Sequence, residues 1–257
     1  MFRLRNFINQ IKPESLTRYL GLGLPAGANQ YRAYVGPPDD YDLISAMTFN
    51  LLTTLGVRQH NTILDIGCGS LRIGRLLIPY LNIGNYVGIE PNKWLVNEGI
   101  QYETGQDQIR IKQPRFYYSD STRDLPRDEL YDFAIAQSIF SHCGPNLVEQ
   151  WLRGISSHLQ DSGALVATFL IGEQDCQENG WFYPDCVYYT VETMEILAQN
   201  AGLKLLLLDW NHPRQTWGLY AKPNFDATWF EDKLLTWNTY LNFASPSKKN
   251  QPYDTTS

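Results

Sequence analysis

Two groups of residues in this chain could do chemistry. The first is a glycine pair, Gly67 and Gly69, with Asp65 just before it and Glu90 further on. Glycines at G-x-G spacing let the backbone turn sharply and let a ligand approach it closely. A carboxylate ~20 residues past such a turn is placed to accept both ribose hydroxyls of an adenosine-containing cofactor. The second group is a pair of histidines, His142 and His212. An unperturbed imidazole titrates near pH ~6.5, which suits a general base working at neutral pH.

These residues need elements to hold them. Thr62–Ile66 is a β-branched, apolar run that reads as a buried parallel strand, and Leu71–Leu81 has the apolar spacing of a helix. Strand, glycine turn and helix N-terminus together make a nucleotide-binding site. The fingerprint is incomplete: Ile73 stands where a close third glycine would, and Gly74 comes later. Asn85–Glu90 is a second strand ending in its acid, followed by a helix over Trp94–Tyr102. Arg115–Tyr118 is a third strand, ending in Ser119-Asp120-Ser121. Tyr131–Gln137 is a fourth, with Gln137 and Ser138 at its carboxyl end, the edge where open α/β sheets bind ligands. The loop Ser138–Gly144 carries His142.

The remaining segments frame that edge. Asp40 reads as the N-cap of a helix with Ile44, Met47, Leu51 and Leu55 on one face, closed by Gly56. Tyr31, Tyr34 and Tyr41 fall near the cofactor in this layout, as packing residues or ligands. Pro145–Leu159 is an amphipathic helix. Asp161-Ser162-Gly163 is a turn, and Ala164–Ile171 a fifth strand. Gly172–Tyr189 is a long loop with Trp181-Phe182-Tyr183-Pro184, and long loops at a binding edge are commonly functional. Thr190 caps a helix over Val191–Ala201. Leu203–Asp209 and Gln215–Ala221 form an antiparallel hairpin whose connection, Asn211–Arg214, carries His212. The other histidines, His60 and His158, read as surface residues.

Several stretches, L-D-I-G-C-G-S-L-R-I-G-R-L-L-I-P-Y-L, Y-V-G-I-E-P-N-K-W-L, A-Q-S-I-F-S-H, S-G-A-L-V-A-T-F and H-P-R-Q-T-W, resemble those of small bacterial class I S-adenosylmethionine-dependent methyltransferases. The resemblance runs roughly from Asp40 to Lys222. It implies an α/β, Rossmann-like fold: a mostly parallel seven-stranded sheet with a late antiparallel hairpin and helices on both faces. It implies S-adenosylmethionine as cofactor, held by Asp65, Gly67, Cys68, Gly69, Glu90, Pro91, Asp120, Ser121, Gln137 and Ser138, with Asp120 on the adenine amino group. The acceptor is then a small molecule, such as a secondary metabolite, lipid or sugar, methylated at a hydroxyl or carboxylate oxygen. The catalytic candidates are His142 and His212. The rival readings are an NAD(P)-dependent oxidoreductase using the same loop, and a non-catalytic protein keeping the fold.

Composition sets the bounds. A chain of 257 residues with 43% hydrophobic content suits one embellished domain. Its expected parts are a cap segment over 1–39, the methyltransferase domain over 40–222, and a helical extension with a disordered tail over 223–257. A net charge of −6 argues against nucleic acid as partner. No apolar run reaches the ~18 residues of a membrane span, and the N-terminus lacks a signal-peptide core. Met1–Leu20 is basic and amphipathic, which suits a cap or peripheral membrane contact. The four cysteines lack C-x-x-C spacing, so they read as reduced thiols in a cytoplasmic protein with no metal site. The apolar stretch Pro223–Phe243 is expected to dock on the domain or on a partner subunit, as in a homodimer.

Overall fold

The computed structural model describes residues 19–228. The amphipathic stretch expected over Met1–Leu20 lies almost wholly outside them, as do Trp229–Phe243 of the expected C-terminal helix and the tail after it.

A sheet of seven strands runs in the order β3-β2-β1-β4-β5-β7-β6. The strands are β1 (Ile63–Ile66), β2 (Tyr86–Ile89), β3 (Arg115–Tyr117), β4 (Tyr131–Ala136), β5 (Leu159–Phe169), β6 (Lys204–Leu208) and β7 (Thr216–Ala221). All neighbours are parallel except β7, which runs antiparallel to both β5 and β6. The late hairpin is therefore present, and it inserts the last strand between two earlier ones.

The strands β1 and β2 are buried throughout, as their apolar sequences demand. Side chains alternate between the faces of a strand, so each face gathers its own core. Leu64 and Ile66 pack with Val148, Leu152 and Ile155 of α5 (Pro145–Ser156) and with Met194 and Leu197 of α6 (Val191–Asn200). Ile63 packs on the other face with Leu51 and Leu52 of α1 (Tyr41–Thr54) and Leu77 and Ile78 of α2 (Gly74–Tyr80). Fully burying one such side chain contributes about 1.5–3 kcal/mol, so either helix layer far outweighs any single polar contact.

Local departures from the sequence reading have physical causes. Helix α2 starts at Gly74 and not at Leu71, because Leu71 adopts a left-handed φ of 61° and ends a turn. The segment after β2 is α3 (Lys93–Gly99), a π-helical turn over Ile100–Thr104, and a further short helix, α4 (Gln106–Lys112). Asp40 makes no side-chain cap on α1, whereas the Thr190 hydroxyl accepts from Thr193 N at 3.2 Å and caps α6. Asp161-Ser162-Gly163 lies inside β5, beside a register shift between Tyr131 and Phe133 of β4. His158 is buried, its Nδ1 2.9 Å from Gly154 O, and is no surface residue.

Candidate active site

A cavity of about 400 Å³ opens along the carboxyl edge of the sheet, from the end of β3 across to the start of β7. That size suits a small-molecule site.

The glycine loop forms its floor. Gly67 and Gly69 have φ of 64° and 52°, a region that favours glycine. A Cβ on Gly67 would lie 2.2 Å from Ile139 Cδ1, and one on Gly69 2.7 Å from Val35 Cγ1. Any side chain at these positions would fill the cradle. Gly69 N also donates to Glu90 Oε2 at 3.1 Å.

Glu90 is 6% exposed and stands at the tip of β2. Its Oε1 accepts from Asn92 N at 2.8 Å and Asn92 Nδ2 at 2.9 Å. Burial raises its pKa, while the donors of Asn92 and Gly69 pull it back. Three bonds leave its two oxygens with acceptor capacity for a diol. Pro91, Ser119 and Asp120 continue this end of the wall.

At the centre, Gln137 and Ser138 join the loop after β1 to the start of β7. Ser138 adopts a left-handed φ of 60°, held by its N–H donating to Thr168 Oγ1 at 2.8 Å. Its Oγ accepts from Gln137 Nε2 at 2.9 Å and from Gln215 Nε2 at 2.8 Å. Arg72, 8% exposed, donates to Gln137 Oε1 and, at 3.0 Å, to Val35 O. Burial first, and the Arg214 charge against it, lower its pKa to about 10, so it stays a cation at neutral pH.

His142 lies in the wall beyond Ser138. Its Nδ1 is 2.6 Å from Asp185 O, and a carbonyl can only accept, so Nδ1 carries the proton. Nε2 is then the unprotonated, basic nitrogen. Tyr183 packs edge-on at 4.8 Å and Trp181 tilts at 5.7 Å between ring centres. Burial pushes the His142 pKa below its ordinary value, with Arg214 adding to the effect, so the ring is neutral at pH 7.

The roof comes from the chain before α1 and the loop between β5 and α6. Tyr34, Val35, Gly36 and Pro37 face Trp181, Tyr183 and Pro184 across the opening. Tyr183 OH donates to Tyr34 O, and Tyr34 meets Trp94 edge-on at 5.1 Å. The pre-α1 segment is latched by a ring of charges. Arg32 pairs with Asp42 at 3.0 Å and Glu103 at 2.6 Å, and Arg75 with Asp42 at 2.7 Å and Glu103 at 3.2 Å.

Gly67, Gly69, Glu90, Pro91, Asp120, Gln137, Ser138 and His142 are thus brought to one cavity, and four other candidates are not. Asp65 points to the α1–α2 face of β1, where Tyr86 OH donates to it at 2.6 Å and burial raises its pKa to about 7. Cys68 is buried in the same layer, against Gly88. Ser121 caps a short turn by accepting from Arg123 N, and Ser119 takes its place in the wall. His212 lies outside the wall. Its Nδ1 accepts from Arg214 N at 3.1 Å and Gln215 N at 2.9 Å, and burial with two nearby arginines lowers its pKa to about 3. Its Nε2 lies 3.4 Å from Gln137 Nε2, so the ring touches a wall residue without lining the cavity. Tyr31 and Tyr41 are packing residues, and of the three tyrosines only Tyr34 reaches the cavity.

Comparison with known proteins agrees with this architecture. Residues 64–165 match the family model of a methyltransferase domain. Magnesium protoporphyrin IX methyltransferase from Synechocystis PCC 6803, solved with bound SAM, superposes with a TM-score of 0.57 at 13% identity, over 85% of this chain and 95% of that one. An S-adenosylmethionine-dependent methyltransferase from Clostridium acetobutylicum ATCC 824 gives 0.52 at 12%, over 71% and 92%. The [4+2]-cyclase SpnF gives 0.52 at 16%, over 63% and 58%. At these identities the structures speak for the fold alone. Residues 64–165 thus match a methyltransferase domain, and the fold around them is the one seen in class I S-adenosylmethionine-dependent methyltransferases.

Proposed function

We propose that the protein transfers a methyl group from S-adenosylmethionine to a hydroxyl oxygen of a small molecule. The observation that carries this reading is the pairing in one cavity of a glycine cradle with Glu90 at one end and a tautomerically fixed His142 at the other. Gly67 and Gly69 give the cofactor backbone to lie against, and Glu90 accepts from its ribose. Asp120 stands at the β3 end, where an adenine amino group would be received. Arg72, buried on the glycine loop without a carboxylate partner among the described residues, suits the carboxylate of the cofactor's amino-acid end.

When bound, the cofactor supplies an electrophilic methyl on a sulfonium, whose S–C bond breaks as the O–C bond forms. His142 Nε2 takes the acceptor's hydroxyl proton. Tyr34, Trp181 and Tyr183 wall the site from water, and holding the reactants aligned supplies much of the rate.

The fold also hosts other chemistry, so the site and not the fold must decide. Calorimetry with S-adenosylhomocysteine and NADH side by side tests the cofactor. Glu90→Gln should weaken the homocysteine compound by about tenfold or more, since hydrogen bonds to a charged group contribute ~1.5–3 kcal/mol. Binding of NADH without S-adenosylhomocysteine would overturn the reading.

A further inference from the structure

The cavity wall is electrically divided. Its carboxylates, Glu90 and Asp120, both stand at the β2–β3 end. Its cations, Arg72 and Arg214, stand towards the other end. Arg72 directly follows the glycine loop. Arg214 lies on the connection between β6 and β7, with its guanidinium close to that of Arg72: a Cβ on Gly36 of the roof would lie 4.0 Å from Arg214 Nη2 and 3.3 Å from Arg72 Nη1. The Arg214 guanidinium has no hydrogen-bond or ion-pair partner among the described residues. The same end of the wall holds His142, Trp181, Tyr183 and Cys186.

A donor of this class brings one carboxylate, which Arg72 suits. That leaves Arg214 unmatched at the end where the acceptor must enter. A planar guanidinium matches a carboxylate bidentately, and the aromatic rings of the same wall match a flat apolar body. The reading of the site as a methyltransferase, on which this rests, requires a hydroxyl within reach of His142.

We propose that the acceptor is an anion, a flat hydroxy acid whose carboxylate is held by Arg214 while His142 faces its hydroxyl. The carboxylate serves as the handle. The hydroxyl loses its proton to His142 Nε2 and gains the methyl, so the carboxylate leaves unchanged. Arg214 is then the residue that sets specificity for acids.

The test pairs hydroxybenzoates and hydroxycinnamates with their primary amides, using labelled donor and the full chain. The acids should show KM values at least about tenfold below those of the amides. Arg214→Gln should raise the KM of the acids by about ten- to a hundredfold, as expected for one charged hydrogen-bonding group, and leave the amides unchanged. Arg214→Lys should restore part of the preference, because it keeps the charge and loses the fork. S-adenosylhomocysteine affinity, measured in parallel, should stay within a few-fold and shows that the variants are folded. Equal treatment of acids and amides overturns the proposal, as does an Arg214→Gln variant that loses S-adenosylhomocysteine instead, which would assign the guanidinium to the donor. An absence of transfer to every acid overturns it as well. Failure of the methyltransferase reading itself is distinct, because the wild-type protein would then not bind S-adenosylhomocysteine.

Discussion

Replacing His142 separates base catalysis from scaffolding, because the structure makes the two magnitudes different. As a scaffold, the ring contributes one hydrogen bond to Asp185 O, an edge contact with Tyr183 and a tilted one with Trp181. Such a bond has a net worth of about 1 kcal/mol, or roughly fivefold in an equilibrium. As a base, Nε2 contributes about 10²–10⁴-fold, or roughly 2.7–5.5 kcal/mol of barrier. His142→Ala should therefore lower kcat by a hundredfold or more, with S-adenosylhomocysteine affinity intact. The sign of the pH dependence follows from burial, which disfavours the imidazolium and sets the folded pKa below its ordinary value. The wild-type rate should thus climb at acid pH and be level through neutrality. The variant should lag most at low pH and recover as the acceptor ionises unaided. Added imidazole should restore part of the lost rate by occupying the vacated space. Single-turnover methyl transfer at saturating donor from pH 5 to 9 reads all of this. A variant that keeps kcat within about tenfold, with no imidazole rescue, refutes the base and leaves positioning to carry the reaction.

Two further expectations concern stability. Glu103, 4% exposed in its side chain, joins Arg32 and Arg75. Glu103→Gln leaves Arg32 and Arg75 with Asp42 as their carboxylate partner and should cost about 1.5–3 kcal/mol, read as a fall in the urea midpoint, and an unchanged midpoint would show that the ring is idle. His212 has a folded pKa of about 3, below its unfolded value near ~6.5. Its contribution is full above ~6.5 and is lost as pH falls from there towards about 3. His212→Asn keeps an acceptor for Arg214 N and Gln215 N in an Asx-type turn, so it should flatten the acid loss of thermal stability. An acid limb identical to that of the wild type would exclude His212 as its source.

The sheet was legible because its strands are short apolar runs bounded by glycine and polar turns. The residues at strand tips, Glu90, Gln137 and Ser138, follow directly from where each run stops. Asp65 and Cys68 were misplaced because adjacency in sequence is not adjacency in space. Strand alternation turns Asp65 towards Tyr86, and Cys68 packs in that same layer beneath the loop. Arg72 was hidden inside a run with helical spacing, since nothing local announces that Leu71 turns left-handed. Arg214 was passed over for its neighbour His212. Only the folded loop shows that His212 Nδ1 accepts from its own backbone while Arg214 lines the cavity. Helix α4 carries few apolar residues, Ile109 and Ile111, and so gave little periodic signal.

The reversed direction of β7 has a consequence for anything joined to this domain. The parallel strands deliver the chain to the cavity, but β7 starts there, at Thr216, and carries the chain away to Ala221. Its six residues span about 20 Å at ~3.4 Å each. Phe225 then packs edge-on against Phe133, early in β4, at the far rim of the sheet. A fluorophore, affinity handle or tether attached just after Ala227 therefore sits roughly 20 Å from the reacting atoms, with the whole sheet between them. It can immobilise the enzyme with the mouth of the cavity facing outward, whereas the same attachment close to Tyr34 would obstruct the roof.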